Sequence, residues 1–170
     1  NSISPARRTL LKKYKELKEE KNLDGVTAAP LPNNIMVWKA CILGPPDTIW
    51  EGGIFHLVME FPDDYPNAPP KVKFTTPIFH PNVYKSGDLC LDTIQKEWSD
   101  RYTILALLQS IRSLLNEPNT ESPANSVASD VYKAYVKSKK DNDEYVKKVR
   151  ECVEESIKLA QIGRASCRER

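Results

Sequence analysis

The sequence has no apolar run approaching the roughly 18 residues of a membrane-spanning helix, so we expect no membrane partner. It also shows no charged and then apolar stretch of the kind that marks a secretory signal. Its four cysteines form no CxxC pair and follow no regular spacing. We therefore expect reduced thiols and a protein of the cytoplasm and nucleus.

A strong excess of charge of one sign is missing as well. The chain has 25 basic and 23 acidic side chains, and residues 162–170 alone contribute three arginines and one glutamate. Those nine residues have no amphipathic period, and they resemble the translation of a sequencing adapter. We expect a core domain over residues 1–161 and a non-native tail over 162–170, with an authentic basic tail as the alternative. Without the tail the charges balance at 22 of each sign, so we expect no direct nucleic-acid partner.

The order of periodic segments predicts an α+β domain. A first helix begins near Ser4 and Pro5, and four candidate strands follow over residues 26–29, 36–43, 54–61 and 71–74. Further helices are predicted over residues 104–115, 125–135 and 141–159. Four consecutive strands with short connections predict an antiparallel four-stranded meander, with an N-terminal helix and C-terminal helices. The length of the chain, 170 residues, and its 40% apolar content are suited to a single domain with one hydrophobic core.

Between the fourth strand and the next helix lie about thirty residues without a sustained period of 2 or 3.6. A compact domain rarely keeps so long an irregular connection unless it builds a site. Cys90 stands in this segment, ten residues after His80 and eight after Asn82. Cys41 and Cys152 fall instead within apolar patterns and are predicted to be core residues. Cys90 is thus the candidate reactive thiol, although an unreactive exposed thiol also fits its surroundings.

Two other kinds of site would use Cys90: a zinc site and the active site of a cysteine hydrolase. A zinc site needs four ligands, and His80 and Cys90 have no companions at ligand spacing, so no metal is expected. A cysteine hydrolase would combine Cys90 and His80 with Asn82 or Asp92. Against that interpretation, His80 is held before Pro81 on the same loop, and no other residue supplies a base.

The same segment resembles the core signature of ubiquitin-conjugating enzymes. The residues that carry the resemblance are His80-Pro81-Asn82, Gly87-x-x-Cys90-Leu91-Asp92 and Trp98. The likeness extends over about residues 5–158, and Pro5-Ala6-Arg7-Arg8 and Ser122-Pro123-Ala124-Asn125 are most similar to one branch. That branch serves DNA-damage tolerance, histone ubiquitination and degradation of proteins with destabilising N-termini.

The resemblance implies a transferase that works without a cofactor of its own, in a pathway that ATP drives. Cys90 would accept ubiquitin as a thioester from the activating enzyme and pass it to a substrate lysine, a route to DNA repair and proteasomal degradation. Asn82 would donate to the oxyanion of the transfer step or support the loop that does so. Asp92 and Ser122 would orient the incoming amine, and His80 with Pro81 would be structural.

Partner surfaces also follow from the resemblance. The implied partners are ubiquitin, its activating enzyme, a RING-type ligase and protein substrates, with histone among the candidates. The residues at the matching positions are Arg7, Arg8, Lys12, Phe61, Asn67, Trp98 and Asp100. In some members the strand that contains Thr27 holds a second, noncovalent ubiquitin.

Three departures from the family pattern stand out. Asp100-Arg101 follows Trp98-Ser99 where the family usually has proline, and Ile49-Trp50 replaces a usual Pro-Tyr pair. Residues 133–143 form a polar segment about six residues longer than in similar members, predicted to be a solvated loop. A conjugator of another ubiquitin-like modifier would share every catalytic residue, and it stays the alternative to a ubiquitin enzyme.

Overall fold

The computed structural model of the chain describes residues 3–138 and 143–168, with side chains as far as residue 163. Its elements confirm the predicted α+β order. They are α1 (Pro5–Glu19), β1 (Val26–Leu31), β2 (Asn34–Leu43), β3 (Ile54–Glu60), β4 (Lys71–Phe74), α2 (Leu91–Gln95), α3 (Ile104–Asn116), α4 (Ser126–Ser138) and α5 (Glu144–Arg168). None of the described helices is long and apolar enough to cross a bilayer.

The four strands form one antiparallel sheet in the order β1-β2-β3-β4, which confirms the meander. Alternation of period 2 turns Phe55, Leu57 and Met59 to the buried face, whereas His56 is exposed on the other face. The helices cover the buried face, with Trp38 of β2 at its centre and fully buried. The open edges of this layer leave the long connection after β4 free to build a site.

Helix α1 starts where the sequence predicts it. The Ser4 hydroxyl accepts a hydrogen bond from the Arg7 N–H at 3.3 Å, and Pro5 occupies the first turn. Leu10 and Leu17 are buried against the sheet. The opposite face is left to charged side chains in water, which makes it available to a partner.

Two expectations from the sequence need correction here. Residues 133–143 are not wholly a loop: α4 continues to Ser138, because Tyr135 stacks on Tyr145 of α5 at 5.5 Å and favours another helical turn. Residues 139–142 lie outside the described part of the chain. Cys41 is half-buried rather than in the core, since its neighbours Ala40 and Ile42 take the inward positions of β2.

The last helix is longer than its apolar stripe predicts. It continues beyond Leu159 to Arg168, through a stretch in which alanine, glutamine and arginine favour helix although Gly163 does not. Cys152 on this helix is half-buried, and its sulfur accepts a hydrogen bond from the Phe79 N–H at 3.2 Å. That bond attaches α5 to the start of the Cys90 segment. The expectation that residues 162–170 are foreign to the domain stays a prediction.

Candidate active site

Cys90 is the N-cap residue of α2 and is only 6% exposed. Its backbone N–H donates to the Asn82 carbonyl at 2.9 Å, and the preceding Leu89 N–H donates to the Val72 carbonyl of β4. The short helix α2 was missed from the sequence, because five residues are too few to show a helical period. Backbone hydrogen bonds from both sides therefore fix where the thiol stands.

The turn before Cys90 depends on a glycine. Gly87 has a φ of 97°, in the left-handed region that side chains disfavour. A Cβ at this position would also collide with the carbonyl oxygen of Phe74. The turn can therefore pack directly on the end of β4, which brings residues 88–90 back alongside the sheet.

His80 is buried and has both ring nitrogens in hydrogen bonds to the backbone. Nδ1 accepts from the Asn82 N–H at 3.0 Å, and Nε2 lies 2.7 Å from the Leu114 carbonyl oxygen. Since a backbone N–H can only donate, the ring proton sits on Nε2 and is donated to Leu114. No ring nitrogen is left to act as a base toward Cys90, which removes the base that the cysteine-hydrolase interpretation requires.

Burial also sets the charge of His80. Desolvation lowers the pKa of the imidazole from 6.5 to about 4, although hydrogen bonds to the carbonyls of Leu114 and Leu115 oppose the shift. The ring is consequently neutral at pH 7. Next to it, the Pro81 carbonyl accepts from the N–H groups of Ala124 and Asn125 at 2.8 and 3.1 Å. His80 and Pro81 thus hold two distant segments, which is what a structural role requires.

We expect the stability of the protein to fall as the pH falls from about 6.5 to about 4. The folded-state pKa of His80 lies below the unfolded value, so over this window the unfolded chain binds the proton first. A pKa lowered to about 4 corresponds to about 3 kcal/mol in the free energy of unfolding. This stability is fully present above pH 6.5 and is lost by the time the pH has fallen to 4. Unfolding in urea across this pH range measures the loss.

Carboxylates also titrate near pH 4, so the histidine needs its own readout. The chain has two histidines, and a His56→Gln variant leaves His80 as the sole imidazole. We expect the ring signals of that variant, followed by NMR, to stay in the neutral Nε2–H form down to about pH 5. A ring that titrates near pH 6.5 in the folded protein would contradict the assignment.

The Asn82 side chain is completely buried and ties the Cys90 segment to the loop after α3. Its Oδ1 accepts from the Asn119 N–H at 2.8 Å, and its Nδ2 donates to the carbonyls of Asn119 at 2.6 Å and Ser122 at 3.2 Å. The Asn119 N–H must face an oxygen, which fixes the orientation of the amide. Both amide hydrogens are therefore already in use.

Asp92 and Ser122 lie on different elements. Asp92 is exposed in the first turn of α2, two residues after Cys90. Ser122 is half-buried, and its carbonyl reaches the same Asn82 side chain whose backbone holds Cys90. Asn82 thus links the Cys90 segment to the loop of Ser122, and Asp92 follows Cys90 on α2. Among the described residues, no three side chains of metal-binding type come together.

Tyr84 lies next to Cys90 and was missed from the sequence. Its phenol is about half exposed, and the negative charge of the Cys90 thiolate raises its pKa. Partial desolvation, a hydrogen bond with Cys90 and the charge of Asp92 act in the same direction. No sequence period could have marked Tyr84, because it lies among the turns of the irregular segment.

The predicted partner residues divide into two groups. Arg7, Arg8 and Lys12 of α1 are exposed, as are Asn67 and Asp100. Phe61 is only 5% exposed and packs against Trp38 and Tyr65 at ring distances of 5.8 and 4.8 Å. Phe61 is therefore a core residue next to the predicted partner loop, and its part in partner binding stays a prediction.

Trp98 joins the predicted partner loops into one surface. Its Nε1–H donates to the Pro66 carbonyl at 3.0 Å, and its ring meets Tyr102 edge-on at 5.7 Å. The Tyr102 carbonyl in turn accepts from the Lys13 ammonium of α1 at 3.1 Å. Thr27 is exposed on the far face of the sheet, opposite Cys41, and so belongs to a separate surface.

Comparison with known proteins places this geometry in context. Residues 9–153 match the family described as "Ubiquitin-conjugating enzyme". The chain is 52% identical over 152 residues to "Ubiquitin-conjugating enzyme E2 2" of Trichoderma harzianum, covering 89% of this chain and 95% of that protein. The protein of the same name from Saccharomyces cerevisiae is 48% identical over 153 residues, covering 90% of this chain and 85% of the relative.

Proposed function

This chain belongs to the family of ubiquitin-conjugating enzymes, and we propose that it carries ubiquitin as a thioester on Cys90. It is a transferase that works with ubiquitin, an activating enzyme, a ligase and protein substrates. The observation that carries the proposal is the position of Cys90. Its N–H donates to the Asn82 carbonyl and its thiol lies beside Tyr84, while the Asn82 side chain holds the loop that contains Ser122.

Charging makes few chemical demands on the protein. The Cys90 thiolate attacks the carbonyl carbon of the thioester on the activating enzyme, and the departing sulfur leaves as that enzyme's thiolate. One thioester replaces another, so the exchange is nearly isoenergetic. The thiolate, rather than the thiol, is the nucleophile in such an exchange. Cys41 and Cys152 are poorer candidates, because burial raises the pKa of both thiols.

Transfer to lysine is the harder step. A lysine amine with its ordinary pKa of about 10.4 costs on the order of 4–5 kcal/mol to deprotonate at pH 7. The Tyr84 hydroxyl stands next to the sulfur, and the exposed Asp92 carboxylate lies near enough to act on Tyr84, so both can orient and partly desolvate the amine. Ser122 lies on the loop that the Asn82 side chain holds. We propose these residues as the polar groups that receive the acceptor.

Asn82 contributes to transfer by holding the loop of Asn119 and Ser122 in place. Both of its amide hydrogens already reach the carbonyls of Asn119 and Ser122, so donation to an oxyanion would require one of these bonds to break. The engaged amide supports the loop-holding role that the family resemblance left open. His80 supports the same segment from below through the Asn82 N–H.

A charging assay tests this function. Incubation with ATP, activating enzyme and ubiquitin should give an adduct on Cys90 that a thiol reductant releases. A panel of activating enzymes, each with its own modifier, separates ubiquitin from the alternative. An adduct formed only with another ubiquitin-like protein would contradict the proposal.

The substrates and location form a further part of the proposal. The residues similar to the DNA-damage-tolerance branch, together with relatives named E2 2, favour nuclear and cytoplasmic work on histones and on proteins marked for degradation. The balanced charge of residues 1–161 supports recognition through a ligase rather than by direct nucleic-acid contact. Ubiquitination of nucleosomes by the charged enzyme, with and without ligase, tests the assignment.

Replacing Asp100 with proline is expected to raise ligase-stimulated discharge about fivefold, the equivalent of about 1 kcal/mol in binding. Asp100 is exposed at the second position of a turn, where the Tyr102 N–H donates to the Ser99 carbonyl and proline fits well. Single-turnover discharge with and without a RING-type ligase measures the effect.

Asp100→Ala is the matched control, since it removes the charge without restoring proline. Charging by the activating enzyme should be unchanged in both variants. Equal effects on charging and on ligase-stimulated discharge, or no effect on either, would show that this loop is not the ligase contact.

A further inference from the structure

The loop that contains Ser122 is attached to the rest of the active site at two points. The inner attachment is Asn82, whose buried side chain makes three hydrogen bonds to the backbone of Asn119 and Ser122. The outer attachment is an ion pair between Lys96 Nζ and Glu121 Oε2 at 2.8 Å. Within the described part of the chain this is the one ion pair between basic and acidic side chains.

These attachments complete a closed path of contacts that passes through the reactive cysteine. Cys90 begins α2 and donates its N–H to the Asn82 carbonyl, while Lys96 ends the same helix as its C-cap. From Lys96 the path crosses to Glu121 and returns through the loop to Asn82. Cys90 is therefore a member of this path, between the two attachments in chain connectivity, and it is only 6% exposed.

The two attachments differ in strength. The inner one is completely buried and rests on three hydrogen bonds. The side chains of the outer pair are 60% and 75% exposed, so water and salt weaken their attraction. Lys96 and Glu121 nevertheless act on each other, since the pair raises the pKa of the lysine and lowers that of the glutamate. If the path opens, it opens at the outer pair.

We propose that Lys96 and Glu121 are positioning residues whose ion pair holds residues 119–122 against α2. The pair thereby limits access to the Cys90 sulfur and keeps Ser122 in place for the acceptor. The second part rests on the proposed function of Cys90, whereas the first does not. Breaking the pair makes the sulfur easier to reach but spreads the groups that orient the amine. The two rates accordingly move in opposite directions.

Alkylation of Cys90 tests access without any ubiquitin. Lys96→Gln and Glu121→Gln should each accelerate modification by iodoacetamide about two- to fivefold at low salt, as expected for an exposed pair. Mass spectrometry of the Cys90 peptide excludes signal from the other cysteines. The difference from the wild-type protein should vanish at about 0.5 M NaCl, where the Debye length is only a few ångströms.

The two variants change the local charge with opposite sign, which separates the pair from a simple field effect. If the loss of the ion pair is what matters, alkylation of Cys90 becomes faster in both variants. If only the local charge matters, alkylation becomes faster in one variant and slower in the other. The double variant should be no faster than either single one. The swap Lys96→Glu with Glu121→Lys should restore the slow rate. Rates that move apart, or a swap that restores nothing, would overturn the proposal.

Discharge of the precharged enzyme onto free lysine tests positioning. Both single variants should discharge about two- to fivefold more slowly, with melting temperatures unchanged and the swapped pair restored. Lys85→Gln, an exposed lysine outside the pair, is the control and should leave both rates unchanged. Faster alkylation with unchanged discharge would overturn the proposal. If Cys90 accepts no ubiquitin, the proposed function fails, and the alkylation result still decides whether the pair limits access.

Discussion

Cys90→Ala is expected to abolish the reductant-sensitive ubiquitin adduct completely. In the proposed function the Cys90 sulfur bonds to the carbonyl carbon of ubiquitin, and no other described thiol is placed to substitute for it. Cys41 lies half-buried on the far face of the sheet, and Cys152 accepts a hydrogen bond from Phe79 within the helical layer. Burial raises the pKa of both thiols and so lowers their thiolate fraction. Non-reducing electrophoresis after charging measures the loss.

Cys90→Ser provides the chemical counterpart of this experiment. A serine hydroxyl forms an oxygen ester in place of the thioester, and that ester should survive reductant but not base. Cys41→Ala is the matched control and should charge at the wild-type rate, because it removes a thiol without touching the Cys90 segment. A reductant-sensitive adduct that persists in Cys90→Ala would mean that ubiquitin is carried elsewhere.

The elements with a clear period could be predicted from the sequence. Alternation in β3 and the capped, amphipathic α1 each express a local preference, and the structure keeps both. The order of four such strands then determines the meander. Errors arose where tertiary packing decides the outcome. The helices α4 and α5 run on to Ser138 and Arg168, beyond their predicted ends, whereas the burial of Phe61 follows from the alternation of β3.

The site could be located from the sequence but not assembled. Cys90 and Asn82 lie in one irregular segment, so their nearness follows from the chain itself. The loop that contains Asn119 and Ser122 lies 37 to 40 residues after Asn82. Only the fold brings this loop to the Asn82 amide. The same holds for the pair of Lys96 and Glu121, 25 residues apart. A single sequence contains no local signal for hydrogen bonds of this range.

The engaged amide of Asn82 changes what its removal should do. Asn82→Ala leaves the buried N–H of Asn119 and the carbonyls of Asn119 and Ser122 without their partner. We expect the free energy of unfolding to fall by about 2–3 kcal/mol, the cost of unsatisfied buried groups. Transfer to lysine should fall about 10²-fold, because a displacement of about 1 Å at a catalytic site has this effect. Urea unfolding and single-turnover discharge onto free lysine measure the two quantities.

Charging separates the two roles of Asn82. If Asn82 holds the loop, charging and discharge weaken together. The reason is that the Cys90 segment and residues 119–122 lose the side chain that joins them. If the amide instead donates to the oxyanion of aminolysis, charging stays near normal while discharge alone falls 10²- to 10³-fold. Asn125→Ala is the control for stability: its side chain caps α4 through the Ala128 N–H, so its loss costs about 1 kcal/mol without freeing residues 119–122. An Asn82→Ala enzyme with normal charging and slow discharge would contradict the loop-holding role. A wild-type rate of discharge would contradict both roles.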